Sequence, residues 1–356
     1  MRLLMIGVLM LGWAGAAQAQ VATNQDVLRT AVADVIRPNM LRLDAGARGL
    51  ESAMMALCAV PSPDAVAIAG QQFGKVVAAF GRVEFLRLGP VMENDRADRL
   101  LFWPDRDGMG LQQVQAVLAE EDPAATALEG LQAKSPAVQG LGALDYVLFG
   151  TGAENLATPA GAFRCAYGQT IAGNIAAIAK DMVAAWYLPG GIADHVQAPQ
   201  PDHVDYGSAE EALAALVGLL ADGLEGLRDQ HLLPLLARDD APAQRELAVF
   251  RRSGMSIAFV RAKLEGMAEL VVRSGMARAV GQADRGLGDT IDRAFREATS
   301  ALDRVTLPVE AAVADAQQAA ALDDLLLLTT SLHAIMDDQL PAALGLNMGF
   351  STLDGD

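Results

Sequence analysis

Residues 135–150 read SPAVQGLGALDYVLFG, and the way this stretch is read decides the fold. Ser135 stands as an N-cap, and Pro136 takes the first helical position, where its missing N–H costs nothing. Leu141, Leu144, Val147 and Leu148 fall at helical spacing and form one apolar stripe. Gly140 and Gly142 lie inside this predicted helix at ~1 kcal/mol each relative to Ala, which implies a close approach to the backbone there. Asp145 sits among apolar neighbours beside Tyr146. Its carboxylate is therefore expected to be partly enclosed, which makes it a site candidate.

Outward from this stretch the helical period continues, and no run of period-2 alternation interrupts it. Val27, Val32, Val35 and Ile36 mark an amphipathic helix that Pro38 is expected to interrupt, with a second segment running to about Leu57. Ser62-Pro63 restarts a helix to about Leu88, closed by Gly89-Pro90. Residues 89–110 read as a long irregular connection, in which Phe102, Trp103, Pro104 and Asp105 form a packed lid or wall. Helices are further predicted over 111–119, 160–186, 209–227, 244–272, 284–302 and 311–337. The Pro- and Gly-rich stretch 188–207 reads as the connection between two halves. The fold class is all-α.

The first twenty residues, MRLLMIGVLMLGWAGAAQAQ, carry Arg2, an apolar run from Leu3 to Trp13, and Ala17-Gln18-Ala19 as a small-x-small cleavage site. This is a cleavable signal peptide over 1–19 that directs the chain to a bacterial periplasm. No cysteine follows the cleavage site, so no lipid anchor is expected, and no later unbroken apolar run is long enough for a transmembrane segment. Cleavage leaves 356 − 19 = 337 residues and takes the formal charge from −17 to −18 as Arg2 leaves. Such acidity excludes nucleic acid and anionic membranes as partners, and diffuse surface charge for solubility accounts for it. Two cysteines, Cys58 and Cys165, remain. An even count in an oxidising compartment reads as a disulfide, with two separately buried thiols as the alternative.

Several constellations have a bland reading that suffices. Glu84 and Arg87 are three apart and make an i,i+3 ion pair. Asp194-His195 and Asp202-His203-x-Asp205 hold metal-capable groups, but on a proline-rich loop without rigid support. His231 reads as a cap on helix-terminal carbonyls, and His333 with Asp337 as a surface i,i+4 pair. No nucleotide-binding glycine loop, H-E-x-x-H, haem attachment motif or G-x-S-x-G elbow is present.

Gly140-Leu141-Gly142-Ala143-Leu144-Asp145 resembles the G-x-H-x-x-E motif of the imelysin-like family, with Gly142 at the histidine position and Asp145 at the glutamate. VEFLRLGPVMENDR, LLFWPDRDGMGLQQVQ, FRCAYGQTIAGNIAAIA and LGLNMGFSTLDGD resemble family segments in the same order and cover most of the chain. Together with the helix count in each half, the resemblance implies two tandem bundles in a pseudo-repeat relation. They span 20–205 and 206–356, and the site cleft lies between them. It also implies a periplasmic protein of iron or metal uptake, with a divalent metal or iron as ligand and other periplasmic iron-handling proteins as partners. The implied metal residues are Asp145 and Glu84, in a cleft with Gly140, Gly142, Tyr146, Arg87, Trp103 and Asp105, where Arg87 neutralises Asp145 or Glu84. Members have been classed as metallopeptidases. Gly142 supplies no ligand and Asp145 reaches one methylene less, so peptidase activity is not expected. A non-metal binding or scaffold module is the alternative.

Overall fold

A computed structural model describes residues 22–105, 107–236, 244–281 and 284–347. The signal peptide read at 1–19 lies outside these residues, as do Met348, Phe350 and Leu353 of the tail. Among the described residues every regular element is helical. In chain order the α-helices are α1 (Asn24–Thr30), α2 (Arg37–Ala59), α3 (Pro63–Gly81), α4 (Arg96–Leu100), α5 (Met109–Glu120), α6 (Leu128–Gln132), α7 (Leu141–Phe149), α8 (Ala162–Tyr187) and α9 (Ile192–Gln197). They continue with α10 (Ala209–Gly226), α11 (Ser256–Arg273), α12 (Arg285–Asp303), α13 (Val309–Ala312), α14 (Ala316–Ala334) and α15 (Leu340–Leu344).

Amphipathic spacing builds two four-helix rings. In the first, α2 packs on α3 and α8, and α7 closes the ring between them. Leu43, Ala47, Leu50, Met54 and Leu57 of α2 are buried at helical spacing, each large one contributing roughly 1.5–3 kcal/mol. Cys58 and Cys165 are disulfide-bonded and tie the end of α2 to the start of α8. In the second ring α10, α11, α12 and α14 pack in the same cyclic way. The bundles meet where α3 runs against α11. A Cβ on Gly81 would stand 2.8 Å from Ala262 Cβ, and one on Gly266 would stand 2.3 Å from the Arg82 carbonyl. Glycine is what lets these backbones touch. The hydrophobic core runs without a break through both bundles, and α1 packs against α10 across the 205/206 boundary.

Pro38, expected to interrupt a helix, does not, and two other prolines share its local setting. Pro38, Pro234 and Pro341 each follow, two residues on, a π-helical turn: Ala31–Ile36, Leu227–Leu232 and Ile335–Gln339. Widening the turn accommodates the ring and the missing donor, so the chain continues through Pro38 into α2. The run Ala316–Leu344 is long and apolar enough by composition to cross a membrane, at mean hydropathy 1.3. In this fold it is a core element, with Ala321, Leu322, Leu325 and Leu332 buried.

Other boundaries moved for local reasons. α3 stops at Gly81, not near Leu88, and residues 82–85 form a turn held by Val83 N–H to the Phe80 carbonyl. α7 starts at Leu141, because Pro136–Val138 is only a 3-10 turn capped by Ser135. α11 starts at Ser256, since the positive φ of Phe250 and Gly254 breaks the stretch before it.

Candidate functional site

Around the bundle contact lie two buried charge clusters. The first is built on Glu84, in the turn after α3. Its Oε1 accepts from Arg87 Nη2 at 3.0 Å, and its Oε2 meets Lys263 Nζ of α11 at 2.6 Å. Burial alone would raise the Glu84 carboxyl, but Lys263 and Arg87 hold it down at about 2. Lys263 is only 3% exposed and lies on the buried stripe of α11 between Phe259 and Met267. Its ammonium also stands 3.5 Å from His231 Nε2.

His231 belongs to the π turn before Pro234 and is 5% exposed; it caps no carbonyl, contrary to expectation, since its Nε2 faces Lys263 and its Nδ1 has no hydrogen-bond partner. The widened turn aims the imidazole inward, where it stacks on Trp103 at 4.3 Å with the rings 4° from parallel. Burial first, then the Lys263 charge, pushes its pKa well below the usual histidine value, so the ring is neutral. Trp103 is fixed in turn by donating Nε1–H to the Leu247 carbonyl at 3.3 Å.

The second cluster is built on Asp145 of α7, 2% exposed. The Ser253 N–H donates to its Oδ1 at 3.2 Å, and Arg252 Nη1 lies 4.0 Å from its Oδ2. Burial pushes the Asp145 carboxyl up, against the Ser253 hydrogen bond and the Arg252 charge. Tyr146 lies between two guanidinium groups, with Arg252 at 5.2 Å and Arg164 at 5.6 Å from the ring centre, and its hydroxyl accepts from Gln115. Arg87 pairs with Glu84 and not with Asp145, whose basic partner is Arg252 of the second bundle. Asp105 accepts from the N–H groups of Gly110 and Leu111 at 3.0 and 2.9 Å; it caps α5.

The two motif glycines do different things. A Cβ on Gly140 would lie 2.4 Å from the Leu100 carbonyl, so α4 makes the close approach that the sequence implied. Gly142 is exposed, and a Cβ there would meet nothing nearer than Leu101 Cδ1 at 3.9 Å. Space for a side chain exists at position 142, but the donor does not.

The loop histidines do come together. His195 Nδ1 bonds Asp205 Oδ2 at 2.5 Å, and the His195 and His203 rings lie 4.4 Å apart. His203 Nδ1 accepts from the Gln200 N–H, which leaves its proton on Nε2, where a metal would need a lone pair. His333 is half-buried at the end of α14, and Asp337 is exposed within the π turn that follows.

The resemblance implies a metal, and the residues do not fit one. Among the described residues no group of three or more His, Cys, Asp or Glu could hold an ion. A catalytic metal takes about three protein ligands. Here each nominated carboxylate already faces a fixed base. Lys263, Arg252 and Ser253 escaped the sequence reading, and His231 was read only as a helix cap. Lys263 had a visible signal, a lysine in register with Phe259, Met267 and Leu270 on an apolar helix face.

The family model for Imelysin matches residues 37–336. No match is found among curated proteins. Among solved structures, an imelysin-like protein from Psychrobacter arcticum 273-4 superposes with a TM-score of 0.75 at 20% identity, covering 93% of this chain and 99% of that one. A protein from Parabacteroides distasonis ATCC 8503, described as an iron-regulated protein A precursor, superposes with a TM-score of 0.75 at 13% identity, covering 92% and 97%. These likenesses extend over both bundles.

Proposed function

The chain belongs to the imelysin family, and from that membership we propose that it is an exported protein of iron uptake or handling in the periplasm. Its cleft works as a binding or docking element and not as a peptidase metal centre. The export reading is supported by the leader pattern at 1–19 and by the precursor name of the Parabacteroides protein. The iron reading is supported by that protein's description as iron-regulated. One observation carries the non-peptidase reading: both acids nominated as ligands face bases of the second bundle, Glu84 with Lys263 at 2.6 Å and Asp145 with Arg252 at 4.0 Å. A metal-bound water needs an open coordination position next to its ligands, and these ligands are occupied.

Deletion of the gene tests the iron reading. The deletion strain should grow more slowly than the parent under iron chelation and recover on re-expression or added iron; equal growth of the two strains sinks it. Fractionation with N-terminal sequencing should find the chain in the periplasm starting at Gln20. Cleavage of unfolded casein that requires Zn²⁺ and disappears in Asp145→Ala would restore the metallopeptidase reading.

A further inference from the structure

A buried lysine ammonium is tolerated only where charge and hydrogen bonds replace the lost water. Lys263 is 3% exposed, and its replacement partners come from different parts of the fold. Glu84 Oε2, from the end of the first bundle, stands 2.6 Å away, and His231 Nε2, from the π turn of the second, stands 3.5 Å away. An ammonium has three donors and no acceptor, so His231 Nε2 must face it with a lone pair and the ring proton sits on Nδ1. His231 Nδ1 is buried with no hydrogen-bond partner. The imidazole therefore gives up a hydrogen bond at Nδ1 while pointing Nε2 at the cation, and Trp103 stacked on its face holds that orientation.

One carboxylate oxygen and one neutral imidazole nitrogen, converging on a single positive centre from two bundles, are the donor types a divalent transition metal takes. Here the positive centre is covalently part of the chain. We propose that the Lys263 ammonium is the resident cation of this cleft, occupying the position between Glu84 and His231 where a divalent metal would otherwise sit. The two bundles are thus held by a tethered cation that can neither be exchanged nor chelated away. The inference concerns what fills the cleft and does not rest on the iron-handling role.

The test is Zn²⁺ binding by the full mature chain, stripped with EDTA and followed by equilibrium dialysis and thermal unfolding. Wild type and Glu84→Gln should bind the same Zn²⁺, since the Lys263 ammonium fills the position in both. Lys263→Glu puts a third donor beside Glu84 and His231. It should gain one Zn²⁺ per chain, unfold at a higher temperature with Zn²⁺ than with EDTA, and lose at least about tenfold in affinity when Glu84→Gln is added. Wild-type Zn²⁺ binding that Glu84→Gln or His231→Gln removes would overturn the proposal. So would a folded Lys263→Glu that binds no more Zn²⁺ than wild type. If Lys263→Glu folds with neither Zn²⁺ nor EDTA, Lys263→Ala decides. Ethylammonium should raise its melting temperature and leave wild type unmoved, and no rise beyond wild type refutes the tethered-cation reading.

Discussion

Glu84→Gln removes the carboxylate that Lys263 and Arg87 share while keeping the shape of the side chain. Arg87 is partly exposed and water can serve it, but Lys263 is left charged inside the bundle contact. Two routes give the cost. Holding the Glu84 carboxyl at about 2 instead of its ordinary 4.5 corresponds to about 3 kcal/mol at neutral pH. Removing one partner of a buried pair costs ~3–5 kcal/mol in general. Unfolding entropy of ~2.1 cal/mol/K per residue makes this about 4 °C in melting temperature for a chain of this size. The sign with pH follows from the depressed carboxyl. Its contribution is complete above 4.5 and is lost as pH falls towards 2, so the gap between wild type and variant should close over that window. Urea unfolding at pH 7, 5, 4 and 3 reads this directly. Adding Lys263→Met to Glu84→Gln should recover much of the loss, because no unpaired charge remains. A single variant within 0.5 kcal/mol of wild type at pH 7, or a gap that stays constant down to pH 3, would refute the pairing argument.

Asp145→Asn should change stability far less than Glu84→Gln. Burial raises the Asp145 carboxyl, so its contribution is present at low pH and is lost as pH rises through the raised value; urea midpoints from pH 4 to 8 should move in favour of the variant. His231 is held neutral by burial and by Lys263, so wild type should lose stability as pH falls below 6.5, where the unfolded imidazole protonates, and His231→Gln should flatten that slope. The Cys58–Cys165 bond spans a sequence separation of 107, for which the chain-entropy model gives about 4.7 kcal/mol. Alkylation before reduction should label no thiol by intact mass, and Cys58→Ser with Cys165→Ser should lower the urea midpoint accordingly. Gly140→Ala should cost several degrees of melting temperature because its Cβ meets the Leu100 carbonyl, whereas Gly142→Ala should gain up to ~1 kcal/mol at an open helical position.

The helices were legible because their apolar residues recur at one period, and α10 and α12 match the expected limits within a residue. Proline was misread at Pro38, since a π turn leaves no mark in a hydrophobic pattern. The site was half legible. Glu84, Asp145, Trp103 and the two cysteines stood out as isolated types in telling places. Their partners did not, because Arg252 and Ser253 lie more than a hundred residues from Asp145, and pairing at that distance is a property of the fold. Asp105 shows the opposite failure. An acid near an aromatic wall looked like a cleft residue, yet it reaches across five and six residues to accept from the Gly110 and Leu111 N–H groups at the start of α5. Gly142 was read with Gly140 as one feature, and only the position of α4 separates them.

Charge at the bundle contact argues further about what this site tolerates. Arg82 of the first bundle meets Glu265 and Glu269 of α11, while Glu84 meets Lys263 and Asp145 meets Arg252. The signs thus cross the contact in both directions. With Arg87 on Glu84, four bases face four acids, so the set is neutral without any added ion. A divalent cation entering it would add two charges to a balanced set and would have to displace an ammonium that cannot leave. In this chain the imelysin architecture is kept by packing and complementary charge, with Gly81 and Gly266 setting how closely the bundles approach. That closeness keeps Lys263 dry, and a dry, paired lysine is what holds the cation position.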